Sequence, residues 1–208
     1  MDHPPTLVRR AFADAVDNFL QTAALIDAAK WDDAGTDQWS VLQLFSHTAR
    51  GMNVVVDYLD VVVDPSITAS VDSASLYFRV ALSNEGIHQG IVERARAAAA
   101  DYRDDPLGTV TDTAARVLTR VAVTPDDRVM QVFAETIRFV DYLETRTVEL
   151  VLHTFDLQLA CGLELRAPLT SLGVVNDLLL TLVERADGSA LALALSGRPS
   201  PLVCNVLG

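Results

Sequence analysis

Apolar residues recur at steps of three and four from Pro5 to Ala29, through Leu7, Val8, Phe12, Val16, Phe19, Leu20 and Ala23, which predicts an amphipathic helix. A polar segment, 31–38, contains Gly35 and leads into Trp39-Ser40-Val41-Leu42-Gln43. Ser40 and Gln43 have the spacing of a capping box, so a second helix is predicted from Ser40 to Val63, stopped by Asp64-Pro65. The helical pattern returns from Asp72 to Arg103, weakened at Gly86 and Gly90. Asp105-Pro106 then opens a fourth helix, Pro106 to Val123, with Leu107, Val110, Ala114, Val117, Leu118 and Val121 on one face.

Val129-Met130-Gln131-Val132-Phe133 interrupts the helices with a β-like run. From Val140 to Ala160 apolar residues lie almost all the way round, among them Val148, Leu150, Val151, Leu152, Phe155, Leu157 and Leu159. That pattern belongs to a central, buried helix, and Cys161-Gly162 supplies its C-terminal glycine. A last helix is predicted from Pro168 to Arg185, followed by the alternating tract Ala190 to Leu195, read as an edge strand or a packed tail. There is no internal repeat and no linker rich in Pro, Gly or Ser. The expectation is a mainly all-α fold: one antiparallel bundle over residues 1–165, with 166–208 as a helix and a short β-like tail packed on it.

The 208 residues, half of them hydrophobic, suffice for a core, and a net charge of −12 disfavours sequence-independent phosphate binding. No apolar run approaches the roughly 18 residues of a membrane span. The N-terminus lacks a positive segment followed by an apolar one, so the cytoplasm is the expected compartment. Two cysteines, Cys161 and Cys204, are too few and too isolated for a disulfide framework or a Cys-based zinc site.

Four histidines concentrate the candidate chemistry. His3 falls in a terminal segment and is set aside. His153 follows Glu149 by four residues in the most apolar helix, so both side chains leave the same helix face. With 28 acids in the chain, chance placement alone yields about half such a pair for four histidines, so the spacing is weak by itself. Its context is stronger, because a carboxylate in an apolar run needs compensation. A Glu–His hydrogen bond or an ion pair with Arg146 is one solution, and a divalent metal is another. His47, midway along the second helix, is a third ligand if the helices bring it across the core; otherwise it is a boundary histidine bonded to a carbonyl. Two His and one Glu leave an open position on zinc. Glu85 and His88 form a competing Glu-x-x-His pair, read as surface because Gly86 and Gly90 weaken the helix and no second pair accompanies it. Nucleophile-elbow, Walker, dinucleotide-binding and zincin motifs are all missing.

Two segments carry a resemblance. Gln38 through His47 looks like the segment ending in a ligand histidine in the DinB-like superfamily. Thr145 through Leu157 resembles the Arg-x-x-Glu-x-x-x-His-x-x-Asp-Leu signature of the mycothiol-dependent maleylpyruvate isomerase family. The tract from Ala192 to Arg198 and the ending Asn205 to Gly208 are also similar to the tails of shorter members. The resemblance implies a DinB-like four-helix bundle in which His47, Glu149 and His153 hold one divalent metal, usually zinc, with mycothiol as thiol cosubstrate at the open position. Arg146 and Asp156 would support the liganding helix, and no catalytic side chain is required beyond the metal-bound thiol.

The isomerase resembled carries a further C-terminal domain, whereas this sequence ends at Gly208, so thiol transfer is the expectation preferred over maleylpyruvate isomerisation. A helical binding protein without turnover, with a structural metal or none, is a second reading. A metal-dependent hydrolase is the third, for which Asp156 or Glu144 is the nearby acid. The expected partner is a small-molecule electrophile, with no nucleic acid and no membrane. The Val129–Phe133 run and the tract after residue 190 are left open between sheet pairing and a homodimer contact.

Overall fold

Helix α1 (Pro5–Leu25) begins with proline in its first turn, where the missing N–H has no intrahelical partner to lose. The computed structural model describes residues 3–36, 39–82 and 97–202. Helix α1 stops earlier than the pattern suggests, because Ile26 turns extended and a single 3-10 turn, Ala28–Lys30, follows with Asp27 accepting from Ala29 N. Helix α2 (Val41–Leu59) carries both halves of the predicted capping box: Ser40 Oγ accepts from Gln43 N at 3.3 Å, and Gln43 Oε1 accepts from Ser40 N at 3.0 Å. It ends at Leu59, before the predicted Val63, with Asp60 as its cap.

Of the predicted 72–103 helix, α3 (Ala74–Leu82) and a helical stretch at 97–102 are described. Glu85, Gly86, His88 and Gly90 lie outside the described residues, as do Gln38 and the 203–208 end with Cys204. Helix α4 (Pro106–Val123) has the predicted bounds, with Asp105 accepting from Gly108 N at 2.9 Å. Arg9 of α1 donates to the carbonyls of Val121 and Thr124 at the C-terminus of α4, and pairs with Asp126. The Val121 carbonyl otherwise accepts a long 3.4 Å bond from the capping Thr124 N, and the Thr124 carbonyl lies past the last helical turn, so the guanidinium both satisfies and fastens that end.

The β-like run is one arm of a hairpin, β1 (Val129–Val132) against β2 (Glu135–Arg138), antiparallel with Val132 opposite Glu135. Phe133 in the turn has φ of 53°, a conformation costly for a bulky residue, and its ring meets Tyr58 at 5.9 Å. Val71 joins the hairpin through a bridge to Ile137.

Helix α5 (Phe139–Cys161) is the centre. The helices α1, α5, α2 and α4 close a ring of contacts, which is the expected four-helix bundle. Val148, Leu150, Val151 and Leu157 are buried, although Leu159, expected to pack, faces outward at 63 % exposure. Buried threonines are tolerated because Thr147 and Thr154 donate to the carbonyls of Leu143 and Leu150, one turn back. Gly162 ends the helix with a left-handed φ of 69°. Helix α6 (Leu169–Leu195) packs on α1 and α5.

Two expectations are corrected. The Ala190–Leu195 tract is helical, the continuation of α6 beyond a break at Asp187, whose carboxylate accepts from Ala190 N at 2.9 Å. Among the described residues no strand lies beside 191–195, so the helix preference of Ala and Leu prevails over the alternation. His3, set aside as terminal, is 7 % exposed and sits between Glu144 Oε1 and Asp177 Oδ2, each 3.1 Å away, tying the segment before α1 to α5 and α6. Among the described residues no helix is long and apolar enough to cross a membrane.

Ser40→Ala removes the cap that starts the His47 helix. It is expected to cost about 1 kcal/mol and to lower the melting temperature by about 2–4 °C for a chain of this size, read by circular dichroism. An unchanged melting temperature would contradict the capping role.

Candidate metal centre

His47 lies in α2 and Glu149 and His153 lie in α5, where the four-residue spacing stacks the last two on one face. Phe45 precedes His47 by two residues, about 200° around the helix. It is fully buried against Phe19, Trp31 and Tyr102, with ring centroids 5.3, 5.1 and 5.6 Å away, and this fixes the rotation of α2. His47 thereby meets His153 edge to face, with ring centroids 4.8 Å apart. One ligand-capable atom from each of His47, Glu149 and His153 lies within 4.8 Å of the other two. The three residues predicted about 100 positions apart are thus brought together.

The three are half-buried, not sealed in the core as the apolar run suggested: Glu149 is 29 % exposed and His153 24 %. Glu149 Oε2 is 3.3 Å from His153 Nε2, while His153 Nδ1 is 3.0 Å from Asp156 Oδ2. Asp156 therefore holds the ring by the nitrogen that faces away from Glu149, an arrangement that leaves Nε2 to the cluster. Arg146 stands 4.0 Å from Glu149, beyond hydrogen-bond reach, with its guanidinium over the Tyr142 ring at 5.0 Å. The sequence reading missed Trp39, whose indole packs on the His47 ring at 4.6 Å. Its position just before the cap of α2 was the available signal.

Electrostatics separate the two imidazoles. Burial, with the nearby His153, pulls His47 down to about 4, so it is neutral with a lone pair to offer. For His153 burial opposes the cation, but hydrogen bonds to Asp156 and Glu149 outweigh it and raise the ring to about 9. Burial likewise opposes the Glu149 charge, and the His153 hydrogen bond and Arg146 overcome it, drawing the carboxyl to about 2. The site is a carboxylate with one neutral and one protonated imidazole, a donor set that fits a divalent cation once a single proton leaves.

Other candidates sit elsewhere. Glu144 lines a separate polar cavity of about 440 Å³ with His3, Asp141 and Arg138. Asp156 is engaged by His153. Neither is a free base at the cluster. Cys161 is buried at the end of α5, and desolvation raises its thiol.

In the metal-free protein the raised His153 contributes stability in full below its ordinary 6.5, lost as pH rises through about 9. The depressed Glu149 contributes above its ordinary 4.5, lost as pH falls toward about 2. A bound cation must displace the His153 proton, so zinc affinity against a competing chelator is expected to climb from pH 6.5 to about 9. An affinity flat across that window would contradict this assignment of protons.

No curated protein and no solved structure matches the chain. The family model for the mycothiol maleylpyruvate isomerase N-terminal domain matches residues 12–158, which takes in α1 from Phe12, all of α2, α5 up to Gln158 and every residue of the cluster. With more than half of its length covered by that match, the chain belongs to the mycothiol maleylpyruvate isomerase N-terminal domain family.

Proposed function

We propose that His47, Glu149 and His153 hold one divalent cation, zinc first among the candidates, and that the protein is a mycothiol-dependent transferase or isomerase acting on a small electrophile. The observation that carries this reading is the convergence of three ligand atoms within 4.8 Å on two helices, with Asp156 fixing one of the rings. A zinc ion bound there would supply a thiolate at neutral pH by lowering the pKa of a coordinated thiol.

The chain's own residues account for the rest. His47 and His153 are neutral donors once the His153 proton is lost, and Glu149 brings one negative charge. Asp156 orients the His153 ring, and Trp39 covers one side of His47. The partial exposure of Glu149 and His153 leaves an approach for a cosubstrate. An external thiol is favoured because Cys161, the thiol among the described residues, is buried and its pKa raised. The hydrolase reading is weaker, since Asp156 and Glu144 are both committed to histidines and neither is left to activate water. We assign the metal-binding unit to residues 1–165, with 166–208 packed on it.

Purified protein is expected to carry near one zinc per chain, lost in Glu149→Ala and His153→Ala without loss of helix by circular dichroism. Asp156→Ala is expected to keep the site but to weaken zinc about 10–100-fold. Mycothiol transfer to a chromogenic aryl halide should require zinc. Protein that takes up no zinc from a buffered solution would overturn the metal centre, and zinc uptake without any thiol-dependent turnover would leave the binding-protein reading in its place.

A further inference from the structure

The geometry points to Arg146 as the residue that receives a carboxylate of the electrophile beside the metal-held thiol, an inference that rests on the metal- and thiol-dependent reading above. Arg146 is one turn from Glu149 on α5, and its side chain is 13 % exposed. A guanidinium has five N–H donors in a planar fork. Among the described residues only Nε finds a hydrogen-bond acceptor, Thr145 Oγ1 at 3.1 Å. The Nη donors have none, since the nearest carboxylate oxygen, on Glu149, is 4.0 Å away. No fully buried side-chain nitrogen or oxygen among the described residues lacks a partner, so the open Nη donors are not sealed from solvent, in keeping with the 13 % exposure of the side chain.

The surroundings hold the fork in place without satisfying it. The guanidinium carbon lies 5.0 Å from the Tyr142 ring centroid, and Tyr142 is itself packed edge-on by Tyr58 of α2 and Tyr77 of α3, at 5.7 and 5.8 Å. Tyr142 and Tyr77 are nearly inaccessible, so the platform is rigid. A cation ordered on an aromatic face, with its hydrogen-bonding edge unused, is arranged for a planar anion. Coordination of Glu149 to a cation would further reduce what that carboxylate offers Arg146. The outcome is selection among electrophiles: those with a carboxylate near the reacting carbon are oriented, and neutral ones are not.

The test uses zinc-loaded full-length protein, with calorimetric titration of succinate and of its neutral analogue succinamide. Native protein is expected to bind succinate about tenfold or more tighter than succinamide. In Arg146→Gln that preference should collapse while zinc stays near one per chain. Arg146→Lys keeps the charge but loses the fork, and is expected to weaken succinate about threefold or more; it serves alone if the Gln variant does not fold. Succinate binding equal in native and variant protein, as direct ligation to zinc would give, overturns the role of Arg146 and leaves the metal centre standing. Absence of succinate binding to the native zinc form does the same. Failure of the native protein to hold zinc at all overturns both.

Discussion

Everything at the site depends on one carboxylate, Glu149, kept ionised where the helix that bears it is packed on nearly every side. Removing water from a carboxylate is costly. Here the opposing interactions come from His153 on the same face, His47 across the bundle and Arg146 a turn earlier. The sum leaves the acid well below its ordinary range, and one imidazole well above its own. Opposite shifts in adjacent groups are the signature of an ion pair, here with the proton held on the His153 imidazole. On the proposed reading, a divalent cation would satisfy the same three atoms with more charge and greater directionality, at the expense of the His153 proton.

The architecture serves that constraint. Phe45 fixes the rotation of α2, the Ser40 cap fixes its start, and the threonines of α5 return their hydroxyls to their own helix. None of these contacts touches the cluster. Together they limit the freedom of two helices whose ligands are about 100 residues apart. The conformational cost of bringing such groups together is thereby met in folding, before any ligand arrives.

Much of this was legible in the sequence wherever the signal was local. The capping box, the prolines at 5 and 106, the glycine at 162 and the Glu149–His153 spacing are short-range features, and each appears where the pattern put it. The remainder depended on tertiary neighbours. Strand β2 reads as polar because Glu135 and Arg138 dominate it, and its pairing comes from the turn at Phe133 and from Val71. The Ala190–Leu195 alternation carried no information on partners, and with no strand beside it among the described residues the tract keeps its helical preference. His3 could be valued only by seeing two carboxylates from α5 and α6 converge on it. Likewise Arg146 read as an ion-pair partner of Glu149, and the 4.0 Å separation shows that it acts on that carboxylate through its charge and not through a hydrogen bond.

Family membership and the convergence of His47, Glu149 and His153 support the proposed reading, in which a cation and an external thiol take the place of a nucleophile from the chain. The most direct test is anomalous diffraction from zinc-soaked crystals, recorded on either side of the zinc absorption edge. The account predicts a single strong peak enclosed by His47, Glu149 and His153. A peak elsewhere, or none at that position with the three side chains still in contact, would contradict it.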